Sequence, residues 1–426
     1  MRVVVIGGGA AGFFAALSVV EHHPRAKVVL LEKSDKLLSK VRISGGGRCN
    51  VTHACFEPRK LAGHYPRGER FLRKAFDRFQ ARDTVAWFAE HDVQLKAEAD
   101  GRMFPVTDDS STIVHCLTEA ARRGGVEVCL RAGVRRMEQG PAGNSFRLAL
   151  EDGSTLSADR VIITTGGHPK STGYDLLSGT GHTIVPPVPS LFTFNMPEDP
   201  IKELMGVSVP AITASIAGSK LSSTGPLLIT HWGMSGPAVL RLSAWGARDI
   251  AAMNYTFTLR VDWTNGLGEH TLRERMEQYR SEHPKKHLAN LCPLDLPGRL
   301  WLHLLDRLEL QSTKTWGELG RRDRDRLIDA LTNARYAVRG RTTFKEEFVT
   351  AGGVALDEVD PASMQSRLVP GLYFAGEVLD IDGITGGFNF QAAWTTGHIA
   401  GKLLRSPQHA QGGADAAVLQ GDQEQS

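Results

Sequence analysis

Hydrophobic positions at the N-terminus change period within a few residues. Val3-Val4-Val5-Ile6 is a continuous β-branched run, the pattern of a short strand buried on both faces. Gly7-Gly8-Gly9 interrupts it, and a helix-compatible Ala, Phe and Leu stretch follows from about Ala10 to Glu21. No charged residue falls between Val3 and Val20, a length that hydropathy alone would give to a membrane span. Three glycines inside that run, and only Met1-Arg2 before it, argue against a spanning helix and a signal peptide. Strand, tight turn and buried helix fit instead. Lys27 to Leu31 predicts a second buried strand, and Arg160 to Thr165 another that runs into Gly166-Gly167. Gly371 to Ala375 predicts one more, followed after a glycine-rich loop by a helix from about Phe390 to Leu404. Alternating apolar runs at Leu191 to Phe194, Val207 to Ile216 and Tyr255 to Val261 read as further strands. Residues from about Glu269 to Asn333 read as mostly helical, broken at Pro284, Pro293 and Pro297.

Composition adds one anomaly to this α/β pattern. Glycine numbers 45 of 426 residues, roughly 11% against an ordinary share of about 7%, without a matching rise in proline, which numbers 20. The excess falls at strand ends, where backbone must turn or approach a ligand closely. Net charge is only +3, with the two signs interleaved. A protein that relies on phosphate neutralisation carries a larger or better clustered excess, so no nucleic-acid partner is expected. The basic spots Arg321 to Arg326 and Lys285-Lys286 read as solvated helix faces. Five cysteines, none in CxxC spacing, point to reduced thiols in a cytoplasmic protein with neither zinc nor disulfide framework.

The first turn carries Gly7-x-Gly9-x-x-Gly12 between a strand and a helix, and the second strand ends at Glu32, twenty residues beyond Gly12. That context makes it a dinucleotide fingerprint. Gly7 permits the turn, Gly9 lets backbone approach a pyrophosphate, and Gly12 lets helix pack on strand. Glu32 can accept the ribose hydroxyls, which disfavours a 2′-phosphate there. A polar glycine loop, Arg42 to Thr52, shows neither helical nor strand periodicity and concentrates backbone donors with two guanidinium groups. Gly376-Glu377 and Gly386-Gly387 precede the last helix, whose N-terminus can stabilise negative charge at the N1–C2=O edge of a reduced flavin.

With these segments the chain resembles the BaiN/aminoacetone oxidase type of bacterial NAD(P)/FAD-dependent flavoproteins, within the glutathione-reductase-like two-dinucleotide-domain superfamily. The matching stretches are Val5 to Gly12, Ser44 to Asn50, Thr230 to Pro237 and Gly371 to Asn389. The resemblance implies a Rossmann-like FAD-binding domain built from residues 1–190 and 345–405. A β-rich domain (191–265 and 334–344) and a small helical domain (266–333) are inserted between, and the tail, 406–426, is expected to be disordered. It assigns non-covalent FAD contacts to Gly7, Gly9, Ala11, Gly12, Glu32, Lys33, Ser44, Gly45, Gly46, Gly47, Arg48, Asn50, Gly376, Glu377, Gly387, Phe388 and Asn389. Val134 would touch adenine through its backbone. The run after Gly167, His168 to Tyr174, departs from the longer serine-glycine motif of many relatives, and no flavin-face contact is carried over to it.

FAD would do the hard chemical step, with NAD(P)H as a candidate electron donor and a small-molecule substrate as partner. His231, beside a glycine turn, reads as a structural histidine pinning that turn, and Ser235 as a cap for the next helix. Cys49 reads as a thiol packed by the cofactor. His283 and His287 have i,i+4 spacing, but Pro284 lies between them and no carboxylates join them, so no metal site is expected. No catalytic residue stands out. Three readings follow: an FAD-dependent oxidoreductase of the amine-oxidising or C=C-reducing kind, a flavoprotein serving RNA modification, and a flavin-binding electron carrier. The inserted domains, superfluous for a carrier, favour the first.

Overall fold

The computed structural model describes residues 1–140, 143, 145–342 and 349–404; the expected disordered tail lies outside them. The chain forms two compact units, Met1–Pro189 with Lys345–Ser426, and Ser190–Phe344.

The first unit is built on a five-stranded parallel sheet. At its centre is β1 (Arg2–Ile6), flanked by β2 (Lys27–Leu31) and the strand Arg160–Ile163. Leu372–Phe374 and Glu127–Cys129 form the edges. Four of the five residues of β1 and of β2 are buried, as expected of strands covered on both faces. One cover is α1 (Ala10–His22), against which the C-terminal helix Phe388–Gly401 packs. A Cβ at Gly397 would lie 2.6 Å from the Ala11 carbonyl oxygen, and one at Gly401 would lie 2.4 Å from that of Ala15. Two glycines one turn apart therefore let the two backbones touch.

Around this core lie α2 (Ser39–Gly47), α3 (Pro58–Ala62), α4 (Glu69–Phe76), α5 (Ala81–Glu90) and α6 (Ser110–Arg123). Two boundaries differ from the sequence reading. The C-terminal helix begins at Phe388 rather than Phe390, because Gly387, at φ +90°, turns the chain directly into it. Part of the loop expected over Arg42–Thr52 is helical: α2 keeps its path until Ser44, whose ψ of 150° breaks it.

The second unit holds a seven-stranded antiparallel sheet. Its long central members are Ser208–Ile216, Ser222–Ile229 and Thr256–Asp262. Helices Glu269–Glu282, Gly298–Arg307 and Arg321–Thr332 complete it. Val209 and Ile212 of the sheet share one continuous apolar core with Leu272, Trp301, Trp316 and Leu327. The charged faces of these helices interlock through Arg324–Glu277, Arg273–Asp325 and Lys314–Asp323.

Candidate functional site

At the end of β1 the chain reverses into α1 within three residues. Gly7 has φ +116°, and a Cβ there would lie 2.4 Å from the Thr164 carbonyl oxygen. One at Gly12 would lie 1.9 Å from the Gly7 carbonyl oxygen, so neither position admits a side chain. The Thr164 hydroxyl stitches the turn by donating to the Ile6 and Gly7 carbonyls, at 2.9 Å each. Gly9 is the N-cap of α1; its Cβ position meets nothing within 4 Å, and no side chain caps the helix. The N–H groups of that first turn, and the positive end of the helix dipole, are therefore available to an anion.

Glu32 is fixed beside this turn. Its Oε2 accepts from the Gly8 N–H at 2.8 Å, and its Oε1 accepts from the Ser34 N–H and hydroxyl, also at 2.8 Å. Lys33 is exposed. The Glu32 N–H donates to the Cys129 carbonyl (2.9 Å), and its carbonyl accepts from Ala132 (2.8 Å). That ladder brings the approach to Val134, first residue of the strand Val134–Gln139, alongside the acidic residue.

Gly45, Gly46 and Gly47 have φ of +59°, +70° and +85°, three left-handed residues in succession that only glycine adopts cheaply. Cβ positions at Gly46 and Gly47 open into free space. Arg48 follows, but its guanidinium is engaged by the protein: it donates to Glu98 at 2.6 Å, lies 3.5 Å from Asp108, and sits 4.0 Å over the Phe104 ring. The hydrogen bond to Glu98 raises its pKa further. Cys49 is fully buried, and desolvation pushes its thiol up to about 12. A thiol held protonated in this way is not a nucleophile at neutral pH.

Asn50 joins this run to the C-terminal helix. Its amide donates to the Thr52 carbonyl and accepts from the Gly387 N–H, both at 3.0 Å. Asn389 ties off the same turn by exchanging two hydrogen bonds with Gly383, at 2.8 and 2.9 Å. Phe388 is buried, and its ring lies against those of His53 and His64, with centroids 4.6 and 4.3 Å away. Gly376 donates to the Thr396 hydroxyl, and its Cβ position lies 2.8 Å from that of Ala11. Glu377 accepts from the Thr350 N–H and from Lys40, both at 2.7 Å. No side chain caps the C-terminal helix.

The two uncapped helices run parallel, since Ala11 abuts Gly397 and Ala15 abuts Gly401. In that register the start of the C-terminal helix lies about eight residues, or roughly 12 Å, beyond the start of α1. Two positive helix ends are thus spaced along one direction. Gly166 also has open space at its Cβ position. Close by, the buried His168 Nε2 and Thr350 Oγ1 have no hydrogen-bond partner among the described residues. Burial, helped by Lys33 and opposed by Glu377, lowers the His168 pKa, so the imidazole is neutral at pH 7. Open glycine positions, free helix N-termini and unpaired buried donors form a set that fits a dinucleotide.

Sequence reasoning missed Lys40, Thr350 and the partnerless His168 nitrogen, because their significance comes from Glu377 and Gly167, far off in the chain. In the second unit, Thr230 rather than His231 pins the turn, its hydroxyl accepting from the N–H groups of Trp232 and Gly233 at 3.3 Å. His231 is exposed, its ring 3.6 Å from that of Trp232. Ser235 does not cap the next helix, whose N-cap is Gly236; its hydroxyl instead accepts from Thr193 at 3.1 Å.

A family model described as the HI0933-like protein Rossmann domain matches residues 1–403. The chain belongs to that family. It is 29% identical over 412 residues to the 3-dehydro-bile acid delta(4,6)-reductase of Clostridium scindens, covering 94% of this chain and 98% of that protein. It is 31% identical over 403 residues to the ribosomal RNA dihydrouridine synthase of Escherichia coli, covering 92% and 95%. Among solved structures, the 3-ketosteroid-delta4-(5alpha)-dehydrogenase of Rhodococcus jostii shares the fold, with a TM-score of 0.50 and 13% identity over 94% of this chain and 96% of that one. The HI0933-like chain has a Rossmann unit, and its fold is shared with an oxidoreductase. Among its described residues no helix is long and apolar enough to cross a membrane.

Proposed function

We propose that this protein is an FAD-dependent reductase, of the BaiN/aminoacetone oxidase type, that saturates a carbonyl-conjugated C=C bond in a small organic substrate. The observation that carries this reading is the pair of parallel, uncapped helices offset by roughly 12 Å, with open glycine positions beside them. FAD, when bound, supplies hydride transfer. The first turn of α1 and the open position at Gly9 would take its pyrophosphate, and Glu32 its adenosine ribose. Backbone from Ser44 to Gly47 would wrap the ligand. Asn50 holds the Gly387 turn, and the N-terminus of the C-terminal helix would stabilise negative charge developing on the flavin. His168 Nε2 and Thr350 Oγ1 retain hydrogen-bonding capacity for a polar atom of ligand or substrate.

The chemistry is drawn from the two relatives. A bile acid delta(4,6)-reductase and a dihydrouridine synthase both, by name, saturate a C=C bond. Those bonds lie in a steroid and in a uracil ring, each conjugated to a carbonyl. A second reading therefore keeps the chemistry and changes the substrate to uridine in RNA, favoured by the 31% identity to the Escherichia coli protein. NAD(P)H is the proposed donor. Anaerobic rapid mixing tests both readings: NADH or NADPH should bleach the flavin, and a conjugated enone or a uridine-containing RNA should restore its colour. Bleaching by amines, with no reoxidation by either acceptor, would replace the reductase with an amine oxidase.

A further inference from the structure

The net charge of +3 conceals a local concentration. Residues 57–83 contain eight Lys or Arg against four Asp or Glu, a net +4 that exceeds the charge of the whole chain. This segment spans α3, α4 and the start of α5. Arg70, Arg73, Lys74 and Arg78 are all exposed, at spacings that put them on one side of α4 and its extension. Arg59, on α3, and Arg82, in the first turn of α5, are exposed too. The buried face of α4 is Phe71, Leu72, Ala75 and Phe76, so the orientation of the basic face is fixed.

Glu69 and Asp77, exposed beside these cations, offset part of the charge, but neither closes an ion pair among the described residues. Among the described residues, Arg59, Arg70, Arg73, Lys74, Arg78 and Arg82 form no ion pair, whereas Lys60 pairs with Glu57 and Arg67 with the buried Asp382. The Asp83 carboxylate is occupied in the capping box of α5. Arg82 instead lies over the exposed Phe56 ring, with 5.8 Å to the centroid. In the second unit Arg324, Arg273 and Lys314 each have a carboxylate partner, while Lys285, Lys286 and Arg322 are exposed and form no ion pair among the described residues. Like charges at i,i+3 and i,i+4 are unfavourable when left alone, and a polyanion removes that penalty.

The same segment is fastened to the start of the C-terminal helix. The Tyr65 hydroxyl donates to the Phe388 carbonyl at 2.6 Å, the His64 carbonyl accepts from Ile384 at 3.0 Å, and Arg67 clamps Asp382. The segment that carries the basic face is thereby anchored to the start of the C-terminal helix.

We propose that the exposed face of α3, α4 and the first turn of α5 binds the phosphate backbone of an RNA strand. Phosphates meet Arg59, Arg70, Arg73, Lys74 and Arg78, and Arg82 with Phe56 offers a cation beside a ring on which a base can stack. This rests on the uridine-in-RNA reading for its biological sense, but its test does not. Binding of a short, labelled, uridine-containing single-stranded RNA to the flavin-loaded protein is followed by anisotropy across a salt series. Replacing Arg70, Arg73 and Lys74 by Gln together removes three phosphate contacts, each releasing about 0.7 counterion from a single strand. The slope of log affinity against log salt should fall by about two, and affinity near 0.1 M salt by roughly a hundredfold. The equal charge change Lys285→Gln/Lys286→Gln/Arg322→Gln should leave both unaltered, and the single variant Arg73→Gln should fall between. A triple variant that binds RNA with the wild-type slope, or a wild type that binds none, overturns the proposal. RNA bound through this face but never reduced keeps the surface and removes the RNA-reduction reading.

Discussion

Glu32 is held at both carboxylate oxygens by Gly8 and Ser34, which leaves its position, rather than its freedom, as what it offers a ribose. Glu32→Ala removes a charged acceptor of the kind worth about 1.5–3 kcal/mol. Its FAD affinity should fall roughly ten- to a hundredfold, read by titrating apoprotein with FAD. Unchanged affinity would remove Glu32 from the ribose. Cys49, with its thiol pushed up to about 12, should resist alkylation at pH 7 in the folded protein and react only after denaturation. Labelling of the native chain at Cys49 would contradict its burial. The sequence made Gly7, Gly9, Gly12 and Glu32 legible because their spacing is itself the mechanical requirement. Arg48 was legible as a loop residue only: its partner Glu98 lies fifty positions away, and no local pattern shows where a guanidinium will turn.

Among the elements, the contact between α1 and the C-terminal helix sets the offset of the two helix ends. Alanine favours a helix over glycine by about 1 kcal/mol, yet Gly397→Ala would place a methyl group 2.6 Å from the Ala11 carbonyl oxygen. Overpacking costs typically 1–3 kcal/mol, so the variant should be less stable in urea and retain FAD less well. A stabilised variant would show that the helices can part without loss. The same helix carries His398, stacked 4.3 Å from Phe79. Burial, with Lys402 and His22 nearby, pulls its imidazole down to about 4. The unfolded chain then binds the proton more readily than the folded one, so stability falls as pH drops from about 6.5 towards 4. At pH 5 the loss reaches up to about 2 kcal/mol. His398→Phe, which keeps the stack, should reduce the drop in urea midpoint between pH 7 and pH 5; an equal drop would place the acid sensitivity elsewhere. Strand and helix identities were legible from periodicity, since β1 and β2 are apolar after their first residues, Arg2 and Lys27, and α1 follows a glycine break. The helical start of α2 was not, because the glycines that end it dominate the local pattern.

For the whole molecule, composition spoke in averages. The glycine excess was informative because one ligand-sized feature uses many glycines, whereas the charge total hid the +4 of residues 57–83 behind the paired acids of the remainder. The chain thus sets two parallel helix ends within one Rossmann unit. We propose that this unit holds FAD and passes reducing equivalents to a conjugated C=C bond. The most direct measurement is the anaerobic visible spectrum of the purified protein, taken before and after NADPH and again after an enone or uridine-containing RNA is added. The account predicts a yellow protein that NADPH bleaches and one of those acceptors recolours. A colourless protein that takes up no added FAD, or a bleached flavin that neither acceptor reoxidises, would contradict it.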